Sequence, residues 1–281
     1  LCVSPDNFAV QLKALLDRAK PLSLTGLRRS MEQGTHLHKA FVITLDDGYA
    51  DSLDVAAPIL EEYGVPATVF VSTGMIGKPF WWCEVQYLVE NAPELPAEIS
   101  FEAAGRRFRW SRKDISVGAR ARLLQSFRKL FRRLPFESQE DALAKIRDSF
   151  KRKGDDESDV RGMTAEEIAI LANMGNIEVG SHLVTHTSLN QLSEDAQRAE
   201  LRESKERLEE IIGRQVQSFS YPNGRLSRAS PRLAREVGYS AGCTSREALT
   251  GQGCDPMRLP RAWAGNWDVE HFSQWLRRWR L

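Results

Sequence analysis

No apolar run in this 281-residue chain reaches the roughly 18 residues that a membrane-spanning helix needs. No charge of one sign dominates either. Lysine and arginine number 39 against 38 acids, a net charge of +1, so the overall balance makes no case for nucleic acid or an anionic membrane surface. Cysteine is scarce. Cys2, Cys83, Cys243 and Cys254 show neither paired metal-ligand spacing nor a disulfide framework. No signal peptide precedes the first helix, and Leu1-Cys2-Val3 does not read as a natural start. The length is enough for one large core, either a single barrel-like α/β domain or two small domains.

What is present is organised around Phe41-Val-Ile-Thr-Leu-Asp-Asp-Gly-Tyr49. A continuous apolar run closed by a turn signal reads as a buried parallel strand. Asp46 and Asp47 then sit at its carboxyl end, where barrels and open α/β sheets place their chemistry. Neighbouring side chains on an extended chain point in opposite directions, so the two carboxylates can serve different purposes. By itself, Asp-Asp-Gly is more often a polar turn.

Around this stretch the strand–helix alternation is regular. Ser4-Pro5-Asp6 starts a helix, with Phe8, Leu12, Leu15 and Leu16 at helical spacing. Asp51 to Tyr63 contains a helix ended by Gly64, and Pro66 to Ser72 forms the next buried strand, a βαβ unit with parallel pairing. Thr164-Ala-Glu-Glu167 is a capping box. Ile177 to Gly180 is a strand leading into Ser181-His-Leu-Val-Thr-His186, followed by a long helix from Ser193 to Ile212. Gln217 to Gly224 is a strand and turn, Ser230 to Gly238 a helix, Tyr239 to Thr244 a strand, and Arg258 to Trp263 the last strand. Asp268 caps a final helix whose aromatic stripe belongs to the core. His36, His38 and His271 read as surface histidines.

From about Lys78 to Arg161 the alternation stops. Phe80-Trp81-Trp82 leads into a helix, Ile99 to Trp110 reads as a hairpin, and two amphipathic helices follow, the second running from Gln139 to Phe150. Lys151 to Asp159 reads as a polar linker. This section is expected to be a mostly helical insertion lying over one face of the domain. Arg106 to Arg133 is strongly basic, and a solvated helix face accounts for it better than nucleic-acid binding, since no recognition module accompanies it.

His182 and His186 are four residues apart behind a strand, so a loop presents both. Two imidazoles with a carboxylate form a catalytic metal site with open positions. His-x-x-x-His is unspecific alone, but here it converges with Asp46-Asp47 on one rim.

Thr44-Leu-Asp-Asp-Gly48, Ser181-His-Leu-Val-Thr-His186 and Phe219-Ser-Tyr-Pro-Asn-Gly224 resemble, in order, the motifs of the polysaccharide deacetylase (NodB-homology) family of carbohydrate esterases. Phe80-Trp81-Trp82 is similar to members from bacterial surface-polysaccharide gene clusters. The resemblance implies a deformed (β/α) barrel forming a single catalytic domain over 1–281, with the insertion at about 78–160. It implies hydrolysis of the acetyl (acyl) group of an N-acetylated sugar in a poly- or oligosaccharide, and the basic stretch from Arg106 to Arg133 leaves an anionic or lipid-linked substrate as the alternative to a solvated face. Nucleic acid is not an expected partner. By the same resemblance Asp46 is the general base, and Asp47, His182 and His186 hold a divalent metal, foremost Zn²⁺, with Co²⁺, Ni²⁺ or Fe²⁺ as alternatives. The Asn223 backbone N–H serves the oxyanion, Tyr221 and Trp82 contact substrate, and Thr185 or Ser181 orients a histidine. For such a member the lack of a signal peptide favours the bacterial cytoplasm over secretion.

The chain departs from the family pattern in three places, one being that the family's late aspartate-tryptophan motif has no clear match around Gly242 to Ala248. Ser220 stands where relatives carry an arginine that steers the base. Leu259-Pro-Arg261 stands where the family's leucine-x-histidine supplies an acid, so Arg261 is expected to clamp an oxyanion or a substrate anion. These departures motivate a rival reading, a catalytically degenerate glycan-binding member.

Overall fold

The computed structural model describes residues 3–35, 37–112, 118–151, 160–251 and 253–279. His36, Cys2, Lys113, Asp114 and the linker section 152–159 lie outside the described residues. The chain divides into two compact units, Leu1–Gly77 with Gly162–Leu281, and Lys78–Arg161.

Local signals set the elements. Helix α1 (Pro5–Leu16) starts at Ser4, whose hydroxyl accepts from the Asn7 N–H. The two-residue β1 (Lys20–Pro21) precedes α2 (Leu24–Glu32) and pairs in parallel with β2 (Ala40–Phe41). Next come β3 (Ile43–Leu45), a π-helical segment at Ser52–Ala56, α3 (Ala57–Glu62) and β4 (Ala67–Val71). All five residues of β4 are buried.

The second unit contains α4 (Trp81–Asn91), the hairpin of β5 (Glu98–Ala103) and β6 (Arg106–Ser111), α5 (Ala119–Phe131) and α6 (Gln139–Ser149). Its own core gathers Val85, Leu88, Phe127, Phe131 and Ile146, with Trp81 stacked on Phe131 at 4.4 Å. Glu84, buried in that unit, pairs with Arg147. Arg122, Arg128 and Lys129 are exposed on α5, opposite its buried Leu123 and Phe127, and Arg132 and Arg133 are exposed in the turn that follows it. The basic stretch is therefore a solvated face.

The first unit resumes with α7 (Ala165–Asn173), β7 (Ile177–Ser181), α8 (Glu194–Ile212), β8 (Ser218–Ser220), α9 (Ser230–Val237), β9 (Ala241–Cys243) and α10 (Val269–Arg278). Both halves of the Thr164–Glu167 capping box are formed. Asp268 caps α10, which buries Phe272 and Leu276, while His271 stays exposed and bonds Asp268.

Five strands form one parallel sheet in the order β3-β4-β7-β8-β9. Parallel pairing puts every carboxyl end on the same edge, so Asp46, His182, the Tyr221–Gly224 turn and Thr244 leave the sheet together. Gly180 permits the close packing beneath them, since a Cβ there would lie 2.5 Å from the Phe70 ring.

Two strand expectations are corrected. The run from Phe41 to Leu45 is broken at Val42, and its halves join different partners. Because β3 is an outer strand with a neighbour on one side only, its residues are half-buried. Arg258 to Trp263 makes no strand. Leu259 alone bridges Cys243 in parallel, and Pro260, without an N–H, cannot extend the ladder.

Candidate active site

Asp46 and Asp47 follow β3 and diverge, as neighbours at a strand end should. Asp47 takes a left-handed backbone (φ 76°), which short polar side chains tolerate. Gly48 continues the turn at φ 82°. The Asp47 carbonyl accepts from Ser72 N–H at 3.2 Å and the Gly48 carbonyl from Met163 N–H at 3.0 Å, so the turn is held on both sides.

His182 comes straight off β7. Its N–H donates to Val71 O at 2.8 Å and extends the β4–β7 ladder by one bond. The loop then turns through left-handed Leu183 (φ 65°) and His186 (φ 58°), which aims both imidazoles at Asp47. Asp47 Oδ1 lies 3.3 Å from Nε2 of His182 and 3.3 Å from Nε2 of His186. Two ligand atoms bound at about 2.1 Å to a tetrahedral ion lie roughly 3.4 Å apart, so the trio already has the spacing of a metal-binding set. His182 Nδ1 meets the Ser220 carbonyl at 2.9 Å. With Nδ1 carrying the proton for that bond, Nε2 presents its lone pair to the trio. The donor set fits a divalent ion.

Asp46 faces the other way, onto Arg261. The guanidinium grips it bidentately, Nη1 to Oδ1 at 2.7 Å and Nη2 to Oδ2 at 2.8 Å. Its remaining N–H groups reach Thr44 Oγ1 at 3.1 Å, Ser220 Oγ at 2.8 Å and the Thr244 carbonyl at 2.9 Å. All five donors of the guanidinium are engaged. Arg261 therefore has none left for an oxyanion or a substrate anion, and its expected clamping role is corrected. It steers Asp46 instead, with Ser220 beside it, from a segment bonded to β9.

The charges follow this geometry. Burial by itself raises the Asp46 carboxyl, but the Arg261 and His182 charges outweigh it and hold the group below the usual carboxylate range. For Asp47, burial is likewise overridden, here by the two imidazoles 3.3 Å from its Oδ1, which hold the carboxyl below the usual carboxylate range. Burial works to lower His182, yet Asp46 and Asp47 raise it.

Tyr221, Ser181 and Thr185 are engaged away from the trio. Tyr221 is entirely buried, donates its hydroxyl to Met257 O at 2.9 Å and its N–H to Cys243 O at 2.9 Å, so it shapes the core and cannot contact substrate. Asn223 is exposed at the same edge, left-handed at φ 57°, with Nδ2 bonded to Ser188 Oγ at 3.1 Å. Trp82 belongs to the second unit, against Phe80 and Trp81. Ser181 and Thr185 give their hydroxyls to other partners. Ser181 Oγ pairs with Ser204 Oγ, and Thr185 Oγ1 with Glu200.

Glu200 is the residue that sequence reasoning missed. From α8 its Oε2 accepts the N–H groups of Val184 at 2.8 Å and Thr185 at 3.1 Å, tying down the loop between the two histidines. Nothing in the pattern of α8 distinguishes it from the other acids of that helix. Glu200→Ala leaves two loop N–H groups without an acceptor, and metal affinity is expected to fall about 10–100-fold, read by competition against a chelator.

The sequence profile of the family described as Polysaccharide deacetylase matches residues 33–102 and 142–242. The match holds Asp46, Asp47, both histidines and Ser220, while Arg261 lies beyond it. YxkH of Bacillus subtilis (strain 168), whose name provisionally places it among the polysaccharide deacetylases, is 24% identical over 207 residues. The alignment covers 74% of this chain but 45% of YxkH, so the chain spans less than half the length of that relative. Among solved structures, IcaB from Ammonifex degensii aligns over 98% of this chain and 89% of its own, with a TM-score of 0.64 at 17% identity. The Streptococcus pyogenes deacetylase PplD, solved in complex with acetate, aligns over 97% and 86%, with a TM-score of 0.61 at 20% identity. The likeness is one of fold, and it agrees with the α/β deformed barrel expected from the motifs.

Proposed function

The chain belongs to the polysaccharide deacetylase family, and we propose that it is a metal-dependent deacetylase removing the acetyl (acyl) group from an N-acetylated sugar of a poly- or oligosaccharide. One observation carries the reading. Three ligand atoms converge on a common point, and a second carboxylate, steered by an arginine, stands next to them.

Asp47, His182 and His186 would hold the ion, Zn²⁺ before Co²⁺, Ni²⁺ or Fe²⁺. When bound it supplies a water acidified towards a pKa of about 7 and an electrophile for the acyl oxygen. Asp46 acts as general base and takes a proton from the attacking water as that oxygen adds to the acyl carbon. Arg261 keeps Asp46 ionised and fixes its plane, at a cost in basicity. That cost is recovered in the second half of the reaction, because a carboxyl with a depressed pKa gives its proton up readily. The same Asp46 can then protonate the departing nitrogen as the C–N bond breaks, releasing acetate and a free amine. This supplies the proton for which the chain has no histidine at position 261. The Asn223 N–H is assigned to the developing oxyanion.

The purified protein is expected to release acetate from N-acetylated oligosaccharides, to lose this activity on dialysis against a chelator, and to regain it with Zn²⁺. No release with any divalent ion, together with retained glycan binding, would replace the enzyme reading with the glycan-binding one, which Arg261 at the family's histidine position favours.

A further inference from the structure

Beyond β9 the chain leaves the sheet at the edge that carries Asp46 and the two histidines. Arg246, Ala248, Leu249, Gly251 and Gly253 to Asp255, with Arg258 and Pro260, line an open cleft of about 370 Å³ in the first compact unit. That volume lies in the range of small-molecule sites. No step of the deacetylation uses it.

The cleft is lined by two arginines, Arg246 and Arg258, and by the apolar surfaces of Ala248, Leu249 and Pro260. Leu249 is 63% exposed, far more than a core leucine. One acid, Asp255, also lines the cleft, and its charge is shared between Arg235, outside the lining, and Arg258, which it meets only loosely. Its carboxylate pairs with Arg235 and accepts the Met257 N–H at 2.9 Å, leaving Arg258 at 3.8 Å. Arg246 uses its backbone for structure, with its N–H on Thr244 Oγ1 and its carbonyl accepting the Arg261 N–H at 3.0 Å. Among the described residues its guanidinium has no acidic partner. Two cationic forks thus face a cleft that one arginine, Arg261, connects to the proposed base.

We propose that this cleft is a subsite for an anionic group of the saccharide, a carboxylate or a phosphoryl group, gripped by Arg246 and Arg258. Guanidinium forks match either anion bidentately. The ring bearing the anion would rest its apolar face on Leu249 and Pro260. The Arg261 N–H on the Arg246 carbonyl ties the cleft to the residue that holds Asp46, so a unit neighbouring the acetylated sugar is the proposed occupant, and the cleft would then be a determinant of substrate choice. The inference rests on the deacetylase reading, but binding tests it independently of turnover.

The experiment compares three N-acetylated tetrasaccharides of equal length: neutral, hexuronate-containing and phosphorylated. Binding is measured by calorimetry and turnover by acetate release, for wild type and for the Arg246→Gln/Arg258→Gln variant. Wild type is expected to bind one charged probe about tenfold or more tightly than the neutral one, the scale of one charge-assisted contact. Which charged probe wins identifies the anion. The double variant is expected to bind all three alike and to turn over the neutral probe as wild type does. Equal wild-type affinity for charged and neutral probes overturns the subsite, and so does a preference that survives in the variant. Turnover of the neutral probe without any preference overturns the subsite alone. Preference without turnover of any probe retains the subsite and overturns the deacetylase reading. Arg246→Glu, at an exposed position, gives the same test by charge reversal if the double variant folds poorly.

Discussion

Asp46→Asn is expected to lower acetate release by about 10²–10⁴-fold, the contribution of a positioned general base, while metal content stays at the wild-type level. Asparagine has the same shape and can still accept one bond from Arg261, but it cannot hold a transferred proton. In the proposed mechanism the same group accepts the water's proton and returns it to the leaving nitrogen, so both half-reactions suffer. The substitution also removes the counter-charge of a largely buried guanidinium, whose five bonds fall on Asp46, Thr44, Ser220 and Thr244. With the Asp46 side chain 34% exposed, the loss is smaller than the roughly 3–5 kcal/mol of a fully buried pair, but folding has to be followed beside activity, by circular dichroism and denaturant titration. A folded, metal-loaded Asp46→Asn with full activity would remove Asp46 from the chemistry.

His182→Ala is expected to abolish metal binding, taking the protein from about one divalent ion per chain, as a three-ligand site holds, to a residual amount. His182 is the more buried of the two imidazoles, with a side chain 2% exposed against 20% for His186. Its orientation is fixed from behind by the Ser220 carbonyl. Its loss removes a ligand and leaves both Ser220 O and one side of Asp47 without that partner. Mass spectrometry of the purified proteins reads the result directly. His271→Ala, at an exposed histidine bonded to Asp268, is the control that should keep its metal. A wild type that is empty and takes up no Zn²⁺ would end the metal reading, whatever the variant does.

Local physical chemistry made much of this protein legible in its residues. Ser4, Thr164 and Asp268 were readable as helix caps because a cap needs a side chain and an N–H only three residues away. Ala67–Val71 was readable as a buried strand from its apolar run. Asp46 and Asp47 could be assigned to diverge, and the two histidines to a loop, because both follow from the end of a strand. Distance along the chain hid the rest. Glu200 could not be singled out, since the N–H groups it accepts lie on another element. Tyr221 looked available until its hydroxyl was found on Met257.

Arg261 shows the division most clearly. Its position after Leu259-Pro260 was visible, but its partner was not, because Asp46 stands 215 residues earlier. In the sheet, β3 and β9 are the two outer strands and share no hydrogen bonds. The curl of the parallel sheet nevertheless brings their carboxyl ends together, so an arginine beside one edge clamps an aspartate on the other. Sequence by itself determined the strand ends, the caps and which side chains could serve as ligands and base. Only the tertiary structure decided which arginine holds that base, because strand twist and closure accumulate over the whole sheet and leave no mark on any single stretch of residues.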